Sequence, residues 1–195
     1  MNIKLIVIMM LILTYLTYAE EKGNELRLGG YIGLYMPTGT FQHNFNPSPT
    51  FGIDGSYKFG KKERIDASFG FVDWAIGDNP GVENLNFSMK YLHLGYTIFF
   101  NRKFNEFYVS TRIGLLLRNY TYKDENTNSK SDNMIYSIGV RPGYLYEISA
   151  NLLLNPSLNL DLAIRNSTEN YAYTDEGEIM IYYGLSLGIL YNLNF

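Results

Sequence analysis

The chain of 195 residues has no cysteine, a single tryptophan and only two histidines. Without cysteine there is no disulfide, no thiolate metal site and no lipid attachment through an amino-terminal Cys. With only His43 and His93, there is little material for chemistry that pairs His with Ser or Asp. No spacing of acidic residues matches a calcium loop, so no metal or other cofactor is expected. The formal net charge is only −3, far from the basic footprint of a nucleic-acid-binding protein. Beyond residue 19 no apolar run reaches the roughly 20 residues of a spanning helix. Heptads, a nucleotide-binding glycine motif and low-complexity tracts are missing as well. What the chain has in quantity is 18 Tyr, 12 Phe and 18 Gly, a mixture suited to strands, turns and interfacial aromatic belts.

The first 19 residues, MNIKLIVIMMLILTYLTYA, read as a cleaved export signal. Lys4 supplies the basic end, Leu5 to Leu13 the apolar core, and Thr17 and Ala19 the small residues before a signal-peptidase cut. Cleavage is expected between Ala19 and Glu20, which leaves residues 20–195 as one domain. An uncleaved anchor is the competing reading, but the apolar run is short for it.

The mature region repeats one pattern eight times. In Ile179–Phe195, IMIYYGLSLGILYNLNF, every second residue is large and apolar, and those between include Gly184, Ser186, Gly188, Asn192 and Asn194. A period of two marks a strand with one apolar and one mixed face. Glu25–Met36, Thr50–Phe59, Ile65–Val72, Phe87–Phe100, Phe107–Arg118, Met134–Glu147 and Ser157–Arg165 show the same alternation. Pro142 falls within the sixth segment and predicts a bulge or break in its ladder. The connections alternate in length. Short basic turns hold Lys61, Lys62, Arg64, Arg102 and Lys103. Longer polar stretches cover Pro37–Pro49, the region of Gly77–Gly81, Tyr122–Asp132 and Asn166–Glu178.

This is the layout of an up-and-down antiparallel barrel of eight strands, with short turns on one side and four longer loops on the other. A secreted lipocalin-like barrel shares the period and differs in which face is inside. Arg27, Asp54, Lys58, Asp66, His93, Arg112, Arg118, Arg141, Glu147, Asp161 and Arg165 all lie on one face, and ten glycines, among them Gly29, Gly70, Gly114 and Gly143, share it. On a solvated exterior those glycines would only weaken strands; inside a narrow barrel they make room for large neighbours. The other face is apolar and carries Phe59, Phe100, Phe107, Tyr146 and Phe195 near the short turns, as an interfacial girdle does. The charged face is therefore expected inside and the apolar face against lipid.

Taken together, these segments resemble the small eight-stranded bacterial outer-membrane barrels, of the OmpX-like and OmpA-transmembrane-domain-like architecture. The likeness covers essentially the whole mature chain. It implies Sec export, the outer membrane of a Gram-negative bacterium, and contact with outer-membrane lipids and lipopolysaccharide. It also implies that Gly188, Tyr191, Leu193 and Phe195 form the carboxy-terminal signal read by the barrel-assembly machinery.

An eight-stranded barrel is just wide enough for its own side chains to fill it, so the interior acids and arginines are expected to pair. Asp54, Asp66, Arg112, Arg141, Asp161 and Arg165 are the expected members of that lumen network, a structural plug with no catalytic residue. The expected role is non-enzymatic: a rigid barrel displaying loops for surface interaction or envelope integrity, with an unidentified loop ligand. A narrow channel for small solutes, resembling the OmpW type, is the alternative. A lipid-modifying enzyme ranks lower. His93 is followed by Leu94 and Gly95 and lacks the His-x-Ser arrangement of the lipid A deacylase barrels. His43 has no spacing that pairs it with Asp78. The acidic groups Asp124, Glu125, Asp132 and Asp175, Glu176, Glu178 read as solvated loop charge, and the basic turns as facing the anionic periplasmic leaflet.

Overall fold

The computed structural model describes residues 25–38, 42, 45–60, 62–75, 85–100, 106–124, 127–164 and 179–194. They form eight strands: β1 (Glu25–Pro37), β2 (Ser48–Lys58), β3 (Glu63–Trp74), β4 (Leu85–Phe99), β5 (Glu106–Asp124), β6 (Thr127–Ser149), β7 (Leu152–Ile164) and β8 (Ile179–Asn194). Each strand pairs antiparallel with the next, and β8 pairs with β1 to close the barrel. Closure leaves no sheet edge along the wall, which a bilayer demands because lipid cannot satisfy free backbone groups.

The register can be followed round the wall through paired residues: Arg27, Ser56, Asp66, Gly95, Arg112, Gly139, Asp161 and Tyr182, then Pro37. The return falls ten residues further along β1 than the start, the stagger that tilts strands about 35–45° from the barrel axis. Large and small residues alternate along this inward row. A Cβ added at Gly139 would run into the Asp161 carboxylate, and one at Gly95 into Asp66 and Ser110. Both positions are glycine because charged neighbours occupy the space.

Three expectations are corrected. Tyr122–Asp132 is not an irregular loop: β5 and β6 stay paired as far as Asp124 opposite Thr127. That hairpin outruns its neighbours, for β4 pairs β5 only to Tyr122 and β7 pairs β6 only to Tyr136. The polar sequence of this stretch carries no alternation that would mark it as a strand. Pro142 does fall at a local break in the ladder, as expected: it pairs with Val109 in β5, but towards β7 the pairing skips Arg141 and Pro142 between Val140↔Leu160 and Gly143↔Ser157, without a change of register. The register shifts between Glu147 and Ser149, and Glu147, expected inside, is exposed there. Arg64 does not face the periplasmic leaflet; it is buried, at 3 % exposure, because it opens an inward-facing position of β3.

The expected export signal with its Ala19–Glu20 cut, His43, Asp78, Arg165, Phe195, the acidic group of residues 175–178, Glu125, and Lys61, Arg102 and Lys103 of the turns lie outside the described residues. Of the remaining assembly-signal residues, Tyr191 faces outward, and Gly188 faces inward beside Tyr31 and Asn155. Leu193 pairs with Leu26 at the closing seam.

Candidate functional site: the barrel lumen

The lumen is built in three tiers by the inward positions of all eight strands. At the short-turn end Glu25 accepts hydrogen bonds from Arg27 Nε and Arg64 Nη2, both at 2.6 Å, with Lys58 Nζ 3.7 Å away. Both guanidinium groups lie over the Phe99 ring, 5.8 and 5.6 Å from its centroid. One carboxylate and a π-face thus share the charge of two buried arginines.

The middle tier holds two buried ion pairs. Arg141 donates from Nη1 and Nη2 to the two carboxylate oxygens of Asp54, at 3.1 and 2.7 Å, and from Nε to Ser157 Oγ at 3.0 Å. Arg112 donates to both oxygens of Asp161 and from Nη1 to Asn159 Oδ1 at 2.9 Å. Asn159 in turn donates to Ser186 Oγ at 3.2 Å, and Ser157 and Ser186 share a hydrogen bond of 2.7 Å. The network is continuous, as a buried polar group requires when no solvent is available to it. Asp66 joins differently: it accepts from the hydroxyls of Thr97 and Ser110, the latter at 2.5 Å, and pairs with no arginine among the described residues. Five of the six expected network residues therefore line one lumen, and four of them form two pairs.

Towards the long-loop end the lining turns aromatic. Tyr31 donates to the Tyr91 hydroxyl at 2.7 Å, which shares a hydrogen bond of 2.7 Å with Thr50. Above them Tyr35, Trp74, Phe87 and Tyr182 are buried together. Phe45, from the connection between β1 and β2, packs on Phe87 and Trp74 with ring centroids 5.1 and 6.5 Å apart. In the lower half the described residues border a cavity of about 40 Å³, lined by Arg27, Asp54, Arg64, Asp66, Tyr108 and Arg141 among others. That volume accommodates a few waters, not a continuous aqueous path.

The chemistry of this interior is electrostatic pairing. His93 Nε2 lies 3.2 Å from Ser137 Oγ and 3.9 Å from Asp161 Oδ1. A hydrolytic triad places the carboxylate on the other ring nitrogen, whereas here hydroxyl and acid meet the same one. His93 Nδ1 has no hydrogen-bond partner among the described residues. Nor do the described residues hold a group of three or more His, Asp or Glu side chains able to bind a metal ion.

Sequence reasoning placed Ser157, Asn159 and Ser186 on the inward face but missed that they complete the pairs, and it missed Asn155, which accepts from Tyr108, and the clamp of Glu25 with Arg27 and Arg64. The signal was present on β7, where Asn155, Ser157, Asn159 and Asp161 occupy alternate positions. The aromatic closure by Phe45 had no periodic signal, because that residue sits outside any strand.

The exterior is the reverse of the interior. Ile32, Ile53, Ile113 and Tyr136 are each more than 60 % exposed, within an apolar belt that crosses all eight strands. Phe59 stacks near Tyr96 and Phe100 near Phe107, 5.9 Å apart in each pair, at the short-turn rim. A continuous apolar exterior on this scale belongs in lipid, and the lipocalin-like orientation is excluded. The class is defined: a transmembrane up-and-down β-barrel with a filled lumen.

Solved structures of the same form are numerous. Neisserial surface protein A superimposes with a TM-score of 0.56 at 13 % identity, over 87 % of this chain and 97 % of that one. The outer membrane protein OprG from Pseudomonas aeruginosa gives 0.55 at 10 % identity, over 89 % and 97 %. Ail, the attachment invasion locus protein of Yersinia pestis, solved with the heparin analogue sucrose octasulfate, gives 0.54 at 11 % identity, over 88 % and 99 %. The chain has the eight-stranded architecture of the small bacterial outer-membrane barrels. No protein-family model and no curated protein sequence matches it.

Proposed function

We propose that this chain is a non-conducting, non-enzymatic barrel of the bacterial outer membrane, acting through the surface its loops present or through the envelope it reinforces. The observation that carries this reading is the filled lumen. Among the described residues, paired charges occupy its lower two tiers and an aromatic layer closes the third, with a cavity of about 40 Å³ in the lower half. Loops on a rigid scaffold are where such a protein meets partners. The heparin analogue bound to Ail is a polyanion, and this chain suits a different ligand: residues 165–178 hold four carboxylates and one arginine.

Planar-bilayer recording tests the reading. The reconstituted barrel should pass no reproducible single-channel current, and a stable large conductance would replace the plug with the narrow-channel alternative. We also propose that the alternating residues Tyr191, Leu193 and Phe195 of the last segment engage the assembly machinery. Phe195→Ser should then lower the amount in the outer membrane several-fold while in vitro folding into detergent is unchanged.

A further inference from the structure

The lipid-facing wall is not uniform: it carries an open groove of about 1050 Å³ with apolar rims. The register shows how the groove arises. Phe107, Tyr144, Pro156, Leu187, Ile32 and Phe51 form one outward row that crosses the wall from β5 to β2. The next outward row towards the long loops holds Pro142, Leu158, Leu185, Leu34 and Pro49. Between them lie Gly143, Ser157, Ser186 and Gly33, which turn their backbone outward and, at the two serines, a buried side chain inward. Rows two residues apart on one face are separated by about 6.5 Å. Three of the rim residues, Pro142, Pro156 and Pro49, are prolines, whose short rings do not reach across that gap. The trough therefore stays open where longer side chains would interdigitate.

We propose that this trough seats one acyl chain of a phospholipid from the periplasmic leaflet. Its dimensions select that occupant. Six strands at about 4.8 Å spacing make it about 24 Å long. It runs perpendicular to strands that tilt about 35–45° from the barrel axis, so it climbs about 15 Å along the axis. That is half of the roughly 30 Å hydrocarbon core, or the depth of one leaflet. The climb starts at Phe107 on the short-turn rim and ends at Phe51 and Pro49. A chain whose headgroup sits at the periplasmic girdle thus reaches the midplane within the trough. A helix, about 10 Å across, is too wide for it. A second barrel, convex like this one, would touch only a narrow strip of the six strands, whereas a polymethylene chain can bend around all of them. No charged side chain lines the trough, so the chain and not the headgroup is what it holds.

Native mass spectrometry tests this. The full barrel is folded into vesicles of phosphatidylethanolamine and phosphatidylglycerol, extracted in mild detergent and weighed with whatever lipid it keeps. Wild type should retain one phospholipid, with the two headgroups in the proportion of the vesicle. Leu158→Trp projects an indole into the trough from one rim and should lower the retained fraction about tenfold by filling the chain's place. Pro156→Trp does the same from the other rim and serves if the first variant loses its heat-modifiable gel mobility. Leu94→Trp, outward on β4 and outside the trough, should retain lipid as wild type does. A folded wild type that keeps no lipid would overturn the proposal, as would equal retention in Leu158→Trp and Leu94→Trp. Strong selection for one headgroup would also overturn it, and so would displacement of the phospholipid when lipopolysaccharide is added to the vesicles. A lipid-free dimer abolished by Leu158→Trp would give the trough to a second copy instead.

Discussion

Replacing Asp54 by Asn removes one charge from the lumen at almost constant shape. Arg141 directs three donor nitrogens to named partners, and two of them end on Asp54. The substitution leaves a buried guanidinium with its Ser157 bond and the Tyr31 ring, whose centroid is 5.7 Å from Cζ. Breaking one side of a buried pair costs about 3–5 kcal/mol. Both side chains border the cavity of about 40 Å³, where water can solvate part of the orphaned charge, so the lower figure, about 3 kcal/mol, is expected. Arg141→Met should cost a similar amount by stranding Asp54. Because removing both partners removes the penalty, the double variant should be milder than the two singles combined, with a coupling of about 2 kcal/mol. Urea unfolding in phospholipid vesicles measures this, followed by Trp74 fluorescence and by gel mobility. A loss under about 0.5 kcal/mol for Asp54→Asn, the range of an ordinary surface change, would refute the paired-lumen account. Strict additivity of the two singles would refute it too.

Other changes test other tiers. Gly114→Ala places a Cβ against the His93 ring and should cost about 1–3 kcal/mol by overpacking, much of it recovered in Gly114→Ala/His93→Ala; urea midpoints check both. Glu25→Gln removes the carboxylate that Arg27 and Arg64 share and should lower the unfolding midpoint, an effect absent in Glu63→Gln at the nearby turn. Ile113→Arg, on the lipid face at 65 % exposure, should cost about 2–4 kcal/mol if it sits near the bilayer midplane, whereas an unchanged midpoint would mean that this face meets water.

Much of the wall was legible because two requirements coincide on every strand: one face must dissolve in lipid and the other must fit a narrow lumen. Ile113 and Arg112 are adjacent in sequence and opposite in environment, and period two separates them without any tertiary information. The pairings were legible only as membership. Nothing in the spacing joins Arg141 to Asp54 across the barrel, or Arg112 to Asp161, because register between distant strands is a property of the closed sheet. The protruding part of β5 and β6 escaped notice for the opposite reason. Residues between Tyr122 and Asp132 are polar throughout, so the sequence there has no alternation to read. Phe45 escaped because it is buried from outside any strand, a placement that no local period encodes.

The account's central claim is that the charged face is inside and the apolar face meets acyl chains. In a Trp74→Phe background, Ile113→Trp and Leu116→Trp place single tryptophans on opposite faces of β5. Reconstituted into bilayers with brominated acyl chains, the first should be strongly quenched and the second should fluoresce as in unbrominated lipid. Equal quenching at the two positions, or quenching of Leu116→Trp alone, would contradict the orientation on which everything above depends.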